Sequence, residues 1–190
     1  MKILIIGRGP SAYKKKVNES EYDLIVKLKI CNCDDPNVSN RCDILVLYAN
    51  ELFTDGQNYD VDRHIDKIKY ILYFNPFDKP SRTMNHVKTH GTELRVMSNE
   101  YLKRQSECYG FKYNESPRIQ TGAATILHFL NKYPKATISL LGFDNMVNNV
   151  KLGEFDNISA LPSDAHDIPK EHEMLKLLLK KYPNLVIYKH

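Results

Sequence analysis

The pair of residues in this chain best suited to moving a proton is His166 and Glu171, in the pattern His-x4-Glu. An imidazole whose ordinary pKa is about 6.5 can take a proton from a hydroxyl near neutral pH. Pro169 lies between the two, at the start of a stretch with an apolar helical face, where proline suits a first helical turn. On position alone, however, His166 reads as a surface histidine at a helix start.

Residues suited to binding are spread over the rest of the chain. Gly7-Arg8-Gly9-Pro10-Ser11 directly follows the apolar run Ile3–Ile6. A glycine-rich turn at that point lets backbone N–H groups approach a phosphate or a ribose, and Ser11 adds a hydroxyl. It is neither a dinucleotide fingerprint, which needs a third glycine, nor a P-loop, which ends in Gly-Lys-Ser/Thr. A tight strand-to-helix turn with no ligand fits it equally well. Arg118-Ile119-Gln120-Thr121-Gly122 precedes a helical pattern, so Thr121 and Gly122 would stand among free amides at a helix start that attracts anions,. Gly142-Phe143-Asp144 ends another apolar run.

The elements that must position these residues alternate in type. Strand patterns cover Ile3–Ile6, Leu24–Ile30, Ile44–Tyr48, Tyr70–Phe74, Leu94–Met97, Ala136–Leu141 and Leu185–Tyr188,. Helical patterns cover Asp60–Lys69, Asn99–Tyr109 after a Ser98 cap, Ala123–Tyr133 and Lys170–Lys181,. In the last, Met174, Leu175, Leu177 and Leu178 would face the core. This alternation predicts an α/β, Rossmann-like domain over residues 1–190, its mostly parallel sheet covered by helices on both faces. Such sheets bind ligands beyond the carboxyl ends of their strands.

Composition narrows the class. At 190 residues, with 42% hydrophobic and 26% charged residues, the chain is an ordinary globular protein,. A net charge of +4 suits an anionic ligand and does not argue for nucleic acid,. Cys31, Cys33, Cys42 and Cys108 lack zinc-ligand spacing and read as structural thiols,. The apolar run at the N-terminus is too short for a leader or a span, which points to a cytoplasmic protein, at most peripheral to a membrane,.

Taken in order, these motifs resemble the CMP-sugar-dependent sialyltransferases, glycosyltransferase families 29 and 42. Gly7–Ser11 is similar to the Gly-Asn-Gly-Pro-Ser turn that holds cytidine there, with Arg8 in place of the asparagine. Asp23–Lys29 resembles the Asp-x-Val-Ile-Arg-x-Asn strand, Lys27 standing for its arginine, and Asn40-Arg41-Cys42-Asp43 resembles the Gly-x-Arg/Lys-Thr-Asp turn. Arg118–Gly122 is similar to Arg-Ile-Thr-Ser-Gly, and Gly142-Phe143-Asp144 to Gly-Phe-Asp. The tyrosines that bind the donor phosphate in bacterial relatives have no counterpart between Asp144 and Tyr182.

The resemblance implies an inverting glycosyltransferase that needs no metal or cofactor, with a fold related to the GT-A-variant and GT-B-like topologies. His166 would be the general base, with Glu171 beside it. Gly7, Arg8, Gly9, Pro10, Ser11, Thr121, Gly122, Gly142 and Asp144 would bind the nucleotide, and Arg118 and Lys27 the donor sugar or phosphate. The partners would be a CMP-activated sialic acid or related acid sugar and a hydroxyl acceptor: a glycan, a lipid-linked sugar or a modified nucleobase. A homo-oligomer stays open. The alternatives are a non-catalytic nucleotide-binding or regulatory domain of the same fold, a transferase using another nucleotide sugar, and a nicotinamide-dependent oxidoreductase.

Overall fold

The computed structural model describes residues 1–28, 41–48, 68–75, 91–112, 119–148 and 167–188. Seven strands form one sheet: β1 (Lys2–Ile6), β2 (Leu24–Leu28), β3 (Ile44–Tyr48), β4 (Tyr70–Phe74), β5 (Leu94–Val96), β6 (Thr137–Leu141) and β7 (Leu185–Ile187). Their order is β5-β4-β3-β2-β1-β6-β7, and every neighbouring pair is parallel. The central strands are apolar on both faces because both faces are covered. Ile3 and Ile5 point into the larger core, Leu4 and Ile6 into the smaller one.

Five helices are described: α1 (Ser11–Lys14), α2 (Asn99–Cys108), α3 (Thr121–Lys132), α4 (Asp144–Asn148) and α5 (Ile168–Lys181). The larger core joins Ile3, Ile5, Val26 and Val46 to Ile126 and Phe129 of α3, Leu102 of α2, and Leu175 and Leu178 of α5. On the opposite face, Ala12 of α1 packs against Leu4, Ile6 and Ile25. Ser98 caps α2, accepting the Tyr101 N–H at 3.3 Å. Among the described residues no helix is long and apolar enough to cross a membrane.

Three sequence expectations need correction or fall outside the described residues. Ile68 and Lys69 are not helical; they lead into β4, and residues 60–67 lie outside the described residues. Lys29 and Ile30 also lie outside them, so β2 is described only to Leu28. Leu177 is 55% exposed, while the buried stripe of α5 runs Ile168, Glu171, Met174, Leu175 and Leu178. A carboxylic acid therefore occupies a core position one turn from Ile168.

Charged groups brace the N-terminal edge of the sheet. Asp43 accepts the Ile25 N–H at 2.8 Å and pairs with Arg41 at 2.8 Å and Lys69 at 3.1 Å. Arg41 also donates to the carbonyls of Tyr22 and Asp23. The Arg41-Cys42-Asp43 turn thus ties together the starts of β2, β3 and β4. Burial alone would raise the Asp43 pKa, but the Ile25 amide, Lys69 and Arg41 outweigh it and hold the carboxyl below its ordinary 3.8. A depressed carboxyl pKa stabilises the fold above the ordinary value, and that contribution disappears as pH falls through the folded value. Asp43→Asn should cost about 2–4 kcal/mol at pH 7 in urea unfolding. The gap between variant and wild type should close as pH drops below 3.8; a gap unchanged by acid would rule out the ionic brace.

Candidate functional site

Strand order reverses direction at β1: β2 to β5 run out on one side, β6 and β7 on the other. A parallel sheet opens its ligand crevice at such a switch point, beyond the strand carboxyl ends. The turns following β1 and β6 meet there. Gly7 N–H donates to Leu141 O at 2.7 Å, and Gly9 N–H to Gly142 O at 2.8 Å. Asp144 Oδ2 accepts from both Ser11 N–H at 3.0 Å and Ser11 Oγ at 2.8 Å. The same hydroxyl oxygen accepts the Gly142 N–H at 2.8 Å.

This geometry accounts for the glycines. A Cβ on Gly7 would run into Gly142 O, and one on Gly9 into Asp144 Oδ2. Gly142 adopts φ 75°, a left-handed conformation, with its would-be Cβ 2.7 Å from Gly7 O and 2.9 Å from Ala12 Cβ. Its type is therefore demanded twice, by conformation and by space. The amides of Gly7, Gly9 and Ser11, read from sequence as phosphate donors, are engaged by protein acceptors. Arg8 and Pro10 are the half-buried members of this turn.

The start of α3 joins the same wall through Phe143. A Cβ on Gly122 would stand 3.1 Å from Phe143 Cε1 and 3.5 Å from Leu28 Cδ1, and one on Gly7 3.4 Å from Phe143 Cδ2. The phenyl ring lies between the β1 turn and the first turn of α3. Gln120 is the N-cap of α3 and makes no side-chain cap bond, so Thr121 is the first helical residue. Thr121 and Gly122 remain half-buried.

Glu171 reaches this wall from α5. Its side chain is completely buried, and Oε1 accepts the Gln120 N–H at 2.7 Å. Burial pushes its pKa up to about 8, opposed by the Gln120 bond and reinforced by Asp167. Next to it, His172 Nδ1 lies 2.6 Å from Met146 O. The ring nitrogen must donate to this carbonyl, so His172 holds the end of α4 to α5. His128, on α3, is pushed down to a pKa of about 4 by burial and then by Lys132, and is a neutral packed side chain.

The structure thus brings together Gly7, Arg8, Gly9, Pro10, Ser11, Thr121, Gly122, Gly142, Asp144 and, at one remove, Glu171. Lys27 stands apart: it is completely buried on β2 beside Ile6, with no surface open to a ligand. His166 and Arg118 lie outside the described residues. Sequence reasoning missed the wedge role of Phe143 and the Glu171–Gln120 bond. The second carried a signal, since Glu171 interrupts an otherwise apolar helical stripe at i, i+3 from Ile168.

A parallel α/β sheet with a glycine-lined switch point defines a Rossmann-like class of fold, and comparison with solved structures narrows it. The sialyltransferase CstII from Campylobacter jejuni, in complex with CMP-3FNeuAc, matches with a TM-score of 0.56 at 19% identity, covering 98% of this chain and 79% of that one. An α-2,3-sialyltransferase from the same organism, in apo form, gives a TM-score of 0.56 at 23% identity over 99% of this chain and 74% of its own. A mammalian sialyltransferase gives 0.63 at 10% identity, with 99% and 68% covered. No family model matches the chain, and no curated protein matches it in sequence. The chain therefore has a sialyltransferase-like fold.

Contact between the two turns can be separated from backbone conformation by comparing two glycines. Gly91 has φ 72° and nothing within 4 Å of its would-be Cβ. Gly91→Ala should cost about 1 kcal/mol for conformation alone, and Gly142→Ala about 3 kcal/mol or more in urea unfolding. Equal losses would mean that the turns do not depend on close approach.

Proposed function

We propose that the chain is an inverting, metal-independent glycosyltransferase that moves sialic acid or a related acid sugar from a CMP-activated donor to an acceptor hydroxyl. The observation that carries this reading is the meeting of the Gly7–Ser11 turn, Gly142–Asp144 and the start of α3 at the switch point of a sialyltransferase-like sheet. One relative has been solved with CMP-3FNeuAc, and with a trisaccharide acceptor and CMP.

The acceptor oxygen attacks the anomeric carbon from the face opposite the phosphate. A new C–O bond forms as the bond to the phosphate oxygen breaks, and CMP leaves with the electron pair. His166 takes the acceptor proton, a role worth on the order of 10²-fold or more in rate. Glu171 supports the segment that carries it. Gly7, Gly9, Ser11, Gly142 and Asp144 build the nucleotide wall, while Arg8, Pro10, Thr121 and Gly122 face the ligand. Arg118 supplies positive charge toward the donor sugar and phosphate; Lys27, completely buried on β2, is not open to the donor. The acceptor is a glycan or another hydroxyl-bearing group.

One observation favours a second reading, a nucleotide-binding regulatory domain without turnover. Arg8 stands in place of an asparagine, in a turn whose Gly7, Gly9 and Ser11 amides are already engaged.

A thermal-shift panel of CMP, CDP, UDP, GDP and NADH tests the donor. CMP at 100 times its Kd should add about 2.7 kcal/mol of stability. Preference for UDP or GDP would end the CMP assignment. Transfer from CMP-sialic acid should fall on the order of 10²-fold or more in His166→Ala with CMP affinity kept. CMP binding without transfer or donor hydrolysis would favour the regulatory reading.

A further inference from the structure

Glu171 is a buried acid with one hydrogen bond among the described residues. Its Oε1 accepts the Gln120 amide at 2.7 Å, and its Oε2 has no hydrogen-bond partner among the described residues. It sits on the apolar stripe of α5, between Ile168 and Met174, where a leucine would bury more apolar surface but leave the Gln120 N–H without its acceptor,. This bond falls on the N-cap residue of α3, whose side chain does not cap the helix. The next two residues, Thr121 and Gly122, form the edge of the switch-point crevice, with Phe143 against Gly122. A core position has thus been given to a polar group whose one hydrogen bond among the described residues is to the amide at the rim of the site.

We propose that Glu171 is a positioning residue: through its bond to the Gln120 amide it fixes the first turn of α3 against α5, and so sets the Thr121–Gly122 edge on which a nucleotide phosphate would rest. Its link to nucleotide binding rests on the CMP-transferase reading above; the bond to α3 does not. The bond requires an acceptor oxygen and needs no charge. Its surroundings favour the uncharged form: burial first, and then Asp167, which caps α5 and pairs with Lys170 at 3.2 Å, together outweigh the Gln120 amide, which favours the charged form. No acidic residue stands in the first turn of α3, and His172 on α5 turns to Met146 O. A neutral carboxyl and a carboxamide are close to isosteric, so glutamine should retain the tie, whereas leucine fills the space without an acceptor.

Glu171→Leu and Glu171→Gln, with Glu171→Ala as a third variant, test this in the full chain. Two readouts are used: amide hydrogen exchange across residues 119–123, and CMP affinity by calorimetry. In Glu171→Leu, exchange at 119–123 should speed up tenfold or more and CMP affinity drop about tenfold, with the protein still folded by circular dichroism. Glutamine should restore most of both. Exchange in the leucine variant equal to wild type would overturn the proposal, as would a glutamine variant no better than leucine. If wild type itself fails to bind CMP, the donor reading falls, and the exchange comparison alone decides whether the tie exists.

A pH series adds a readout that a merely space-filling role would not move. The Glu171 pKa is raised from 4.5 to about 8. Its favourable contribution is therefore complete below 4.5 and lost as pH rises to about 8. The melting temperature of wild type relative to Glu171→Gln should fall across that window and level off above it. A flat difference would count against a buried acid bonded in its neutral form.

Discussion

The contact on which the rest of this molecule depends is backbone against backbone, where the turns leaving β1 and β6 meet. Strands in a parallel sheet lie close together, and their outgoing turns usually diverge toward helices on opposite faces. Here they stay in contact, because Gly7, Gly9 and Gly142 present no Cβ and Gly142 bends through the left-handed region,. Ser11 and Asp144 then close the joint: one hydroxyl donates to the carboxylate and accepts from Gly142. Phe143 is held by this joint, and its ring sets how near α3 may come. Loosening the contact would shift all three walls of the crevice at once.

Much of this architecture was legible in the residues, for a physical reason. Strands buried on both faces appear as unbroken apolar runs, and Ile44–Tyr48 and Tyr70–Phe74 match their strands at both ends. Helix α3 was legible from Ile126, Leu127 and Leu130, although it begins two residues earlier, at Thr121. The order of motifs also placed Gly142–Asp144 beyond a strand end, where the topology puts the site. What could not be read was the use to which groups are put. An exposed glycine-rich turn and an internally bonded one have the same sequence, and only the position of Asp144 tells them apart.

Glu171 and Leu177 show the same gap from the other side. By hydrophobicity alone Leu177 belongs in the core and Glu171 in water, and the fold reverses both. Helical geometry explains why: Ile168, Glu171, Leu175 and Leu178 share a stripe, and Leu177 falls outside it. Periodicity was the better guide, but it had to be trusted against residue type. The Asp60–Lys69 pattern fails in the opposite way at its end, since Ile68 is buried as part of the approach to β4 rather than on a helix.

The two edges of the sheet are built from different chemistry, and this bears on what the upper edge can bind. At the N-terminal edge, stability comes from full charges: Asp43 held by Arg41, Lys69 and the Ile25 amide. At the C-terminal edge, the two buried acids among the described residues are each engaged by the protein. Asp144 turns Oδ2 onto the N–H and O–H of Ser11, and Glu171 sits where burial favours its neutral form. A donor carrying a phosphate and a sugar carboxylate would be repelled by two bare carboxylates at this range, by several kcal/mol where water is excluded. Keeping one acid bonded inward and the other uncharged lets acidic side chains hold the walls together while the first turn of α3 keeps its attraction for anions. The same residues thus answer a structural need and an electrostatic one, and it is the first, an acceptor for the Gln120 amide, that makes glutamic acid, rather than leucine, intelligible at position 171.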